Sequence, residues 1–577
     1  MSQKQVKRTR KEIALSQALR NDEREGVFFG DGLRDIVRRN KLFLLGLIGL
    51  VIVLYFNGMW GDFVSDDYAS ISQNPLVLDA KSMLGNMSLT GGSNFFLAKI
   101  FGLSSPIPYH LFSLFLYVVL CVVVFIFIYL LFGARVAKPT SLLFAVLPIH
   151  VETVSWISGK PYLFVALMVL TALNLLILYL KKRDRKYLCW FLIIIALSFM
   201  GDRVRPLAVV FLSFLLLFSY NDKLSRKLPL IKIFVLGLLF LAMIGVAFWP
   251  IIMGRISSVN SGYNGSGEVF YDPFFQYPTA VAKYLQMLLI PVDLTLYHTM
   301  YVFPFWLNWL VLLVYVSSLI YFWFRNRNLF FALAFIFAAT IPSMAPVKVS
   351  WLMAERYMLL GSVGFCLFLV LAFLPLAKRY KRVMTVAFWV LMAGYSTRVI
   401  LRNIDWQTNH KLWVNTCQMS PNSHNAWNNI GDDYDKLGDY ENAIKGFTQS
   451  TVMKSNYADA YHNRANIFFK TGRLDLARDS YNTALSIAPN LYQTYMSLSQ
   501  IDLNEGKAKL AVEHGQKLVE LQPNNPQSHY VFGIILAKIG LIDRAKEELK
   551  LTLQLDPNFK AAKDGLKELE NIKSGSR

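Results

Sequence analysis

The chain has 577 residues, of which 54% are hydrophobic, and a formal net charge of +21. That is too apolar for a soluble protein of this size, and several runs exceed the roughly 18–20 apolar residues needed to cross a bilayer. The positive charge therefore reads as Lys and Arg collected in cytoplasmic loops rather than as a nucleic-acid surface, and 4 cysteines are too few for a disulfide framework.

The first forty residues are polar and basic, without a short apolar run ending in a small-residue cleavage site. The segment that follows, 42–58, is thus expected to be a retained membrane anchor. Length and flanking polar residues predict about eleven spans in all: 42–58, 109–133, 139–158, 161–181, 187–201, 205–221, 230–252, 303–325, 329–346, 357–377 and 382–400. The shorter mixed segments 92–103 and 278–291 are expected to lie on the outer membrane surface. Basic clusters fall at alternate ends, at Arg135 and Lys138, Lys181 to Lys186, Lys223 to Lys232, Arg325 and Arg327, and Lys378 to Arg382. These ends and the basic N-terminal tail (1–41) should be cytoplasmic. The loop after the first span then faces outward, and an odd number of spans puts the C-terminal region outside as well.

That first outer loop carries Asp66-Asp67. Adjacent carboxylates at a membrane surface repel each other and call for water, a cation or a proton donor. One of them is a candidate general base for a hydroxyl acceptor. The third predicted span ends in Pro148-Ile149-His150-Val151-Glu152, followed by Gly159-Lys160. His150, Glu152 and Lys160 are costly in apolar surroundings unless they pair or line a wet cavity, so they are candidates for contacting a polar substrate, with a structural His–Glu pair as the alternative. Further outer-face candidates are Arg203 and Arg205 in Gly201-Asp202-Arg203-Val204-Arg205-Pro206, and Glu355 and Arg356 in Ala354-Glu355-Arg356-Tyr357. Arginine binds phosphate through a bidentate fork, and here could hold the phosphate of a lipid carrier; local ion pairs are the alternative. The outer loop 253–302 carries Gly262, Gly265 and Gly267 without a Walker lysine, then His298. His298 with His150 and the carboxylates is compatible with a divalent metal, although no ligand spacing compels one. Asn86 and Asn264 match the glycosylation acceptor pattern.

The C-terminal region repeats. Gly438, Gly472, Gly506 and Gly540 recur every 34 residues, as do Ala443, Ala477, Ala511 and Ala545. Pro489, Pro523 and Pro557 keep the same interval. This is the tetratricopeptide pattern of paired helices. Four repeats are expected over 423–557, with a capping helix over 558–577 and a connector at 402–422. The fold class is therefore all-α: a polytopic helical bundle (42–401) followed by an α-solenoid. Asn429, Asn463 and Asn466 fall on the expected concave face, where amides could bind an extended peptide backbone or simply be solvated.

The aspartate pair, Pro-Ile-His-Val-Glu with Val-Ser-Trp-Ile, Ala-Glu-Arg-Tyr, and Arg402-Asn403-Ile404-Asp405-Trp406 leading into the repeats resemble, in this order, the transmembrane and tetratricopeptide repeat (TMTC-type) O-mannosyltransferases and their bacterial relatives. The resemblance implies a C-type glycosyltransferase (GT-C) fold and a polyprenyl-phosphate-linked sugar as donor, with transfer of a hexose such as mannose to a protein or glycan acceptor. One of Asp66 and Asp67 would be the base. Arg356, with Arg203 or Arg205, would bind the departing lipid phosphate, and His150 and Glu152 would shape the sugar or acceptor site. The family carries an acidic group in the turn where Gly159 is followed here by Lys160-Pro161-Tyr162. The expected setting is a bacterial inner membrane with the site and repeats outside, or an endoplasmic reticulum membrane with luminal repeats. The repeats would recruit an acceptor or partner protein. The rival reading is a non-catalytic membrane scaffold whose repeats assemble an envelope complex.

Overall fold

The computed structural model describes residues 32–86, 88–201, 205–224, 273–298, 303–343 and 353–574. Every regular element among them is helical. Residues up to Ser420 form one unit and those from Pro421 a second. In the first, the α-helices are α1 (Leu33–Arg39), α2 (Lys41–Tyr55), α3 (Ala80–Asn86), α4 (Leu89–Phe101), α5 (Ile107–Phe132), α6 (Ala134–Ala145), α7 (Val151–Ser155), α8 (Lys160–Lys182), α9 (Arg185–Ser198) and α10 (Ala208–Leu224). Then follow α11 (Pro273–Leu289), α12 (Phe305–Arg325), α13 (Arg327–Thr340), α14 (Ser362–Arg379), α15 (Lys381–Asp405) and α16 (Asn409–Met419).

Among the described residues, 6 helices are long and apolar enough to cross a membrane: Lys41–Gly58, Ile107–Phe132, Ile157–Lys182, Phe305–Arg325, Ser362–Arg379 and Lys381–Asp405. They match six of the expected spans. The stretches 205–221 and 329–346 form shorter apolar helices, Arg205–Tyr220 and Arg327–Ser343. At 187–201 stands α9, whose 14 residues reach about 21 Å at 1.5 Å per residue, short of the roughly 30 Å hydrocarbon core. The predicted span 230–252 lies outside the described residues.

One expectation is corrected. The continuous span predicted over 139–158 is broken into α6, a 3-10 turn at Pro148–His150, α7 and a second 3-10 turn at Ile157–Gly159. The backbone is extended at Leu147 (ψ 119) and at Trp156 (ψ 117). Leu147 is held so by the proline that follows it, which disfavours α geometry in its predecessor. The break lets polar side chains of this stretch find partners on other helices, which a lipid-facing helix could not offer.

In the second unit, eight helices in four pairs occupy His424–Leu555: α17 (His424–Lys436) with α18 (Tyr440–Met453), α19 (Ala458–Lys470) with α20 (Leu474–Ile487), α21 (Tyr492–Asn504) with α22 (Ala508–Leu521), and α23 (Pro526–Lys538) with α24 (Ile542–Leu555). A further helix, α25 (Lys560–Ser574), follows. Gly438, Gly472, Gly506 and Gly540 stand at the turns within the pairs with φ of 78, 73, 72 and 87, a left-handed conformation that glycine adopts without steric cost. Ala443, Ala477, Ala511 and Ala545 are all fully buried, where the second helix of each pair meets its partner.

Candidate functional site

The two adjacent aspartates have opposite environments. Asp66 is exposed and Asp67 is fully buried. The Asp67 carboxylate accepts three hydrogen bonds: from the Val64 N–H at 3.1 Å, the Ser158 N–H at 2.8 Å and the Ser158 hydroxyl at 2.5 Å. Burial pushes its pKa up from 3.8 to about 6, against the opposing pull of those hydrogen bonds and of the Lys160 charge. The separation of the pair begins at Ser65, which takes a left-handed conformation with φ 53. Gly159 lets the turn fold back closely on α7, because a Cβ there would meet the Thr153 carbonyl oxygen at 2.9 Å.

The same turn organises two arginines. Trp156 and Tyr162 flank it, and Arg356 stacks over the Trp156 ring at 5.4 Å and the Tyr357 ring at 5.1 Å. Arg356 Nε donates to the Tyr162 oxygen at 3.1 Å, and Arg205 Nη2 donates to that oxygen at 2.9 Å. Arg205 also lies over the Tyr162 ring at 4.2 Å. Aromatic faces attract a guanidinium through the ring quadrupole, so they orient these cations. Glu152, fully buried, is the counterion of Arg356: Oε1 pairs with its guanidinium and Oε2 accepts its backbone N–H at 2.7 Å. Arg203 lies outside the described residues.

The remaining candidates have internal partners. His150 is buried between the Tyr117 hydroxyl and the Ser362 hydroxyl, both at 2.8 Å, so both ring nitrogens tie helices together. Lys160 is buried, donates to Asn94 at 2.5 Å and lies over the Tyr109 ring at 5.1 Å. Its amine is near enough to Asp67 to act on that carboxylate electrostatically. Glu355, also buried, accepts from Arg402 at 3.0 Å, and His298 Nε2 lies 3.7 Å from the same oxygen. Burial, aided by the Lys283 charge, holds the His298 imidazole down at about 3, so it is neutral near pH 7. Among the described residues no group of three or more His, Cys, Asp or Glu is arranged to hold a metal.

In the repeats, Asn463 Nδ2 donates to Asn428 Oδ1 at 3.0 Å, and the Tyr481 hydroxyl donates to Asn466 at 2.5 Å. Asn429 is half-buried. Asn463 and Asn466 thus join neighbouring helices. Sequence reasoning missed Ser158, Tyr162 and Trp156. Trp156 and Ser158 stood inside the singled-out motif, but only their contacts with Asp67 and Arg356 mark them. Tyr162 carried no signal beyond adjacency to Pro161.

The second unit matches models of the tetratricopeptide repeat over residues 424–455 and 458–491. Over 432 residues the chain is 26% identical to the protein O-mannosyl-transferase F38B6.6 of Caenorhabditis elegans, covering 67% of this chain and 59% of the worm protein. Over 444 residues it is 24% identical to the mouse (Mus musculus) protein O-mannosyl-transferase TMTC3, covering 69% of this chain and 46% of that one. The chain is a distant relative of the TMTC-type protein O-mannosyl-transferases. It spans about half the length of these TMTC relatives. The repeat protein YrrB, described as having an unusual peptide-binding site, is 19% identical, at a TM-score of 0.26, over 29% of this chain and 85% of that one.

Proposed function

We propose that this TMTC relative is a membrane glycosyltransferase of GT-C type. It moves a hexose from a polyprenyl-phosphate carrier to a hydroxyl of a protein acceptor on the extracytoplasmic face, and its repeats recruit the acceptor or a partner. The observation that carries the reading is the Trp156–Tyr162 turn. It grips the aspartate loop through Ser158 and positions Arg205 and Arg356 through Tyr162. A carboxylate able to take a proton and two cations able to hold a phosphate thus share one rigid support.

In this reading Asp66, exposed, is the general base that takes the acceptor's hydroxyl proton as the oxygen attacks the anomeric carbon. The sugar–phosphate bond breaks, and the phosphate leaves as an anion bound by Arg205 and Arg356. Asp67, spent on three hydrogen bonds, fixes the loop. Glu152 holds Arg356 in register and keeps that guanidinium from being an uncompensated buried charge. His150 acts by tying helices rather than by touching sugar.

Membranes carrying the full chain, supplied with polyprenyl-phosphate mannose and a serine/threonine-rich peptide, test this. Wild type transfers label and Asp66→Asn does not. Equal transfer by both removes Asp66 from the mechanism.

A further inference from the structure

We infer that Asn409, the first residue of α16, is a positioning residue for the catalytic loop. It would act by holding Ser65 in its left-handed conformation so that Asp66 faces outward while Asp67 turns in. The inference rests on the reading of Asp66 as the base. Ser65 is a non-glycine residue at φ 53, a region that costs free energy for a side chain bearing a Cβ and persists where surroundings impose it. Its N–H donates to Asn409 Oδ1 at 2.9 Å, across 344 residues of sequence. The helix N-terminus is capped by the preceding residue: Thr408 Oγ1 accepts the Lys411 N–H at 3.2 Å.

The contact is one of several that tie the first loop and its base to the end of α15 and the start of α16. The Asp62 N–H donates to the Gln407 carbonyl at 2.8 Å, and Gln407 Nε2 donates to the Asn57 carbonyl at 3.0 Å. Asn403 Nδ2 donates to Leu54 O at 2.9 Å and to Asn57 Oδ1 at 2.8 Å, while Ser155 Oγ donates to Asn403 Oδ1 at 3.0 Å. These bonds fix the base of the loop; the Asn409 bond reaches its tip, one residue before Asp66. Further along, α16 packs the Trp413 ring 5.7 Å from Tyr297, and Asn415 accepts from Arg402 at 3.0 Å. The helix is therefore anchored on its own account, and Asn409 has a fixed support from which to set the loop.

The test uses the full chain in membranes, with polyprenyl-phosphate mannose and the peptide acceptor for turnover, and hydrogen exchange of the segment containing Ser65 as a readout needing no substrate. Asn409→Ala lowers kcat about fivefold to tenfold, as loss of one well-placed hydrogen bond implies, leaves KM for the donor unchanged, and speeds exchange at Ser65. Asn409→Asp keeps the acceptor oxygen and stays near wild type. Adding Ser65→Gly to Asn409→Ala recovers part of kcat, because glycine adopts φ 53 without the cost a Cβ imposes. Wild-type turnover and exchange in Asn409→Ala overturn the inference, as does a loss that neither Asn409→Asp nor Ser65→Gly mends. If Asp66→Asn keeps its turnover in the same assay, the base reading fails, and the exchange data still decide whether Asn409 sets the loop.

Discussion

The two units of this chain stabilise themselves in different ways. In the repeat unit, the decisive positions recur every 34 residues and their partners are near in sequence: a glycine at each turn, an alanine under each helix pair. In the membrane unit, the decisive contacts join residues far apart, as Glu152 joins Arg356 across 204 positions and Ser65 joins Asn409 across 344. A periodic solenoid spreads stability over similar neighbours, so one lost contact is felt locally. A bundle that buries charges concentrates risk, because removing one partner strands the other in a low-dielectric interior.

This contrast gives a ranked set of expectations. Glu152→Ala leaves the Arg356 guanidinium, 7% exposed, without its counterion, and should destabilise the membrane unit by about 3–5 kcal/mol. Thermal melting in detergent reads this, and an unchanged melting temperature would mean that the pair contributes nothing. Next is a pH effect at Asp67. Its folded pKa of about 6 exceeds the ordinary 3.8, so between those values the folded state holds more protons than the unfolded one. Stability from this group is thus complete below about 3.8 and is lost as pH rises through about 6, a fall of about 3 kcal/mol at 1.36 kcal/mol per unit. Asp67→Asn should flatten that slope in melting curves across the same window; a parallel slope in the variant would place its origin elsewhere. The smallest effect belongs to the repeats. Gly472→Ala, at φ 73, should cost about 1–2 kcal/mol, detectable as faster hydrogen exchange confined to α19 and α20. Exchange that quickens across all the repeats would contradict the local picture.

The same contrast explains what could be read from the sequence. Local period and apolar length need no knowledge of the fold, so the repeats and six membrane-length helices were legible. The span predicted over 139–158 was not, because its apolar count hides the break made by Pro148 and by polar residues whose partners lie on other helices. The motifs, far apart in the sequence, come together in the fold: Asp66-Asp67, Glu152, Arg205 and Arg356 are all linked to the Trp156–Tyr162 turn, directly or through one another. What they could not reveal was that the two aspartates stand in opposite environments. Two identical adjacent residues differ here only because a left-handed Ser65 and a serine 91 residues beyond Asp67 turn one of them inward.

In the proposed mechanism the aspartate and the arginines serve separate steps of one reaction. Donor binding and sugar transfer, measured separately in membranes with polyprenyl-phosphate mannose, ask this directly of Asp66→Asn and Arg205→Ala. Arg205 is preferred to Arg356 because it is half-buried and stands outside the buried Glu152–Arg356 pair. Asp66→Asn should bind donor as wild type does and transfer about 10²–10⁴-fold more slowly, while Arg205→Ala should lose donor affinity. Wild-type transfer by Asp66→Asn, or donor binding unaltered by Arg205→Ala, would contradict it.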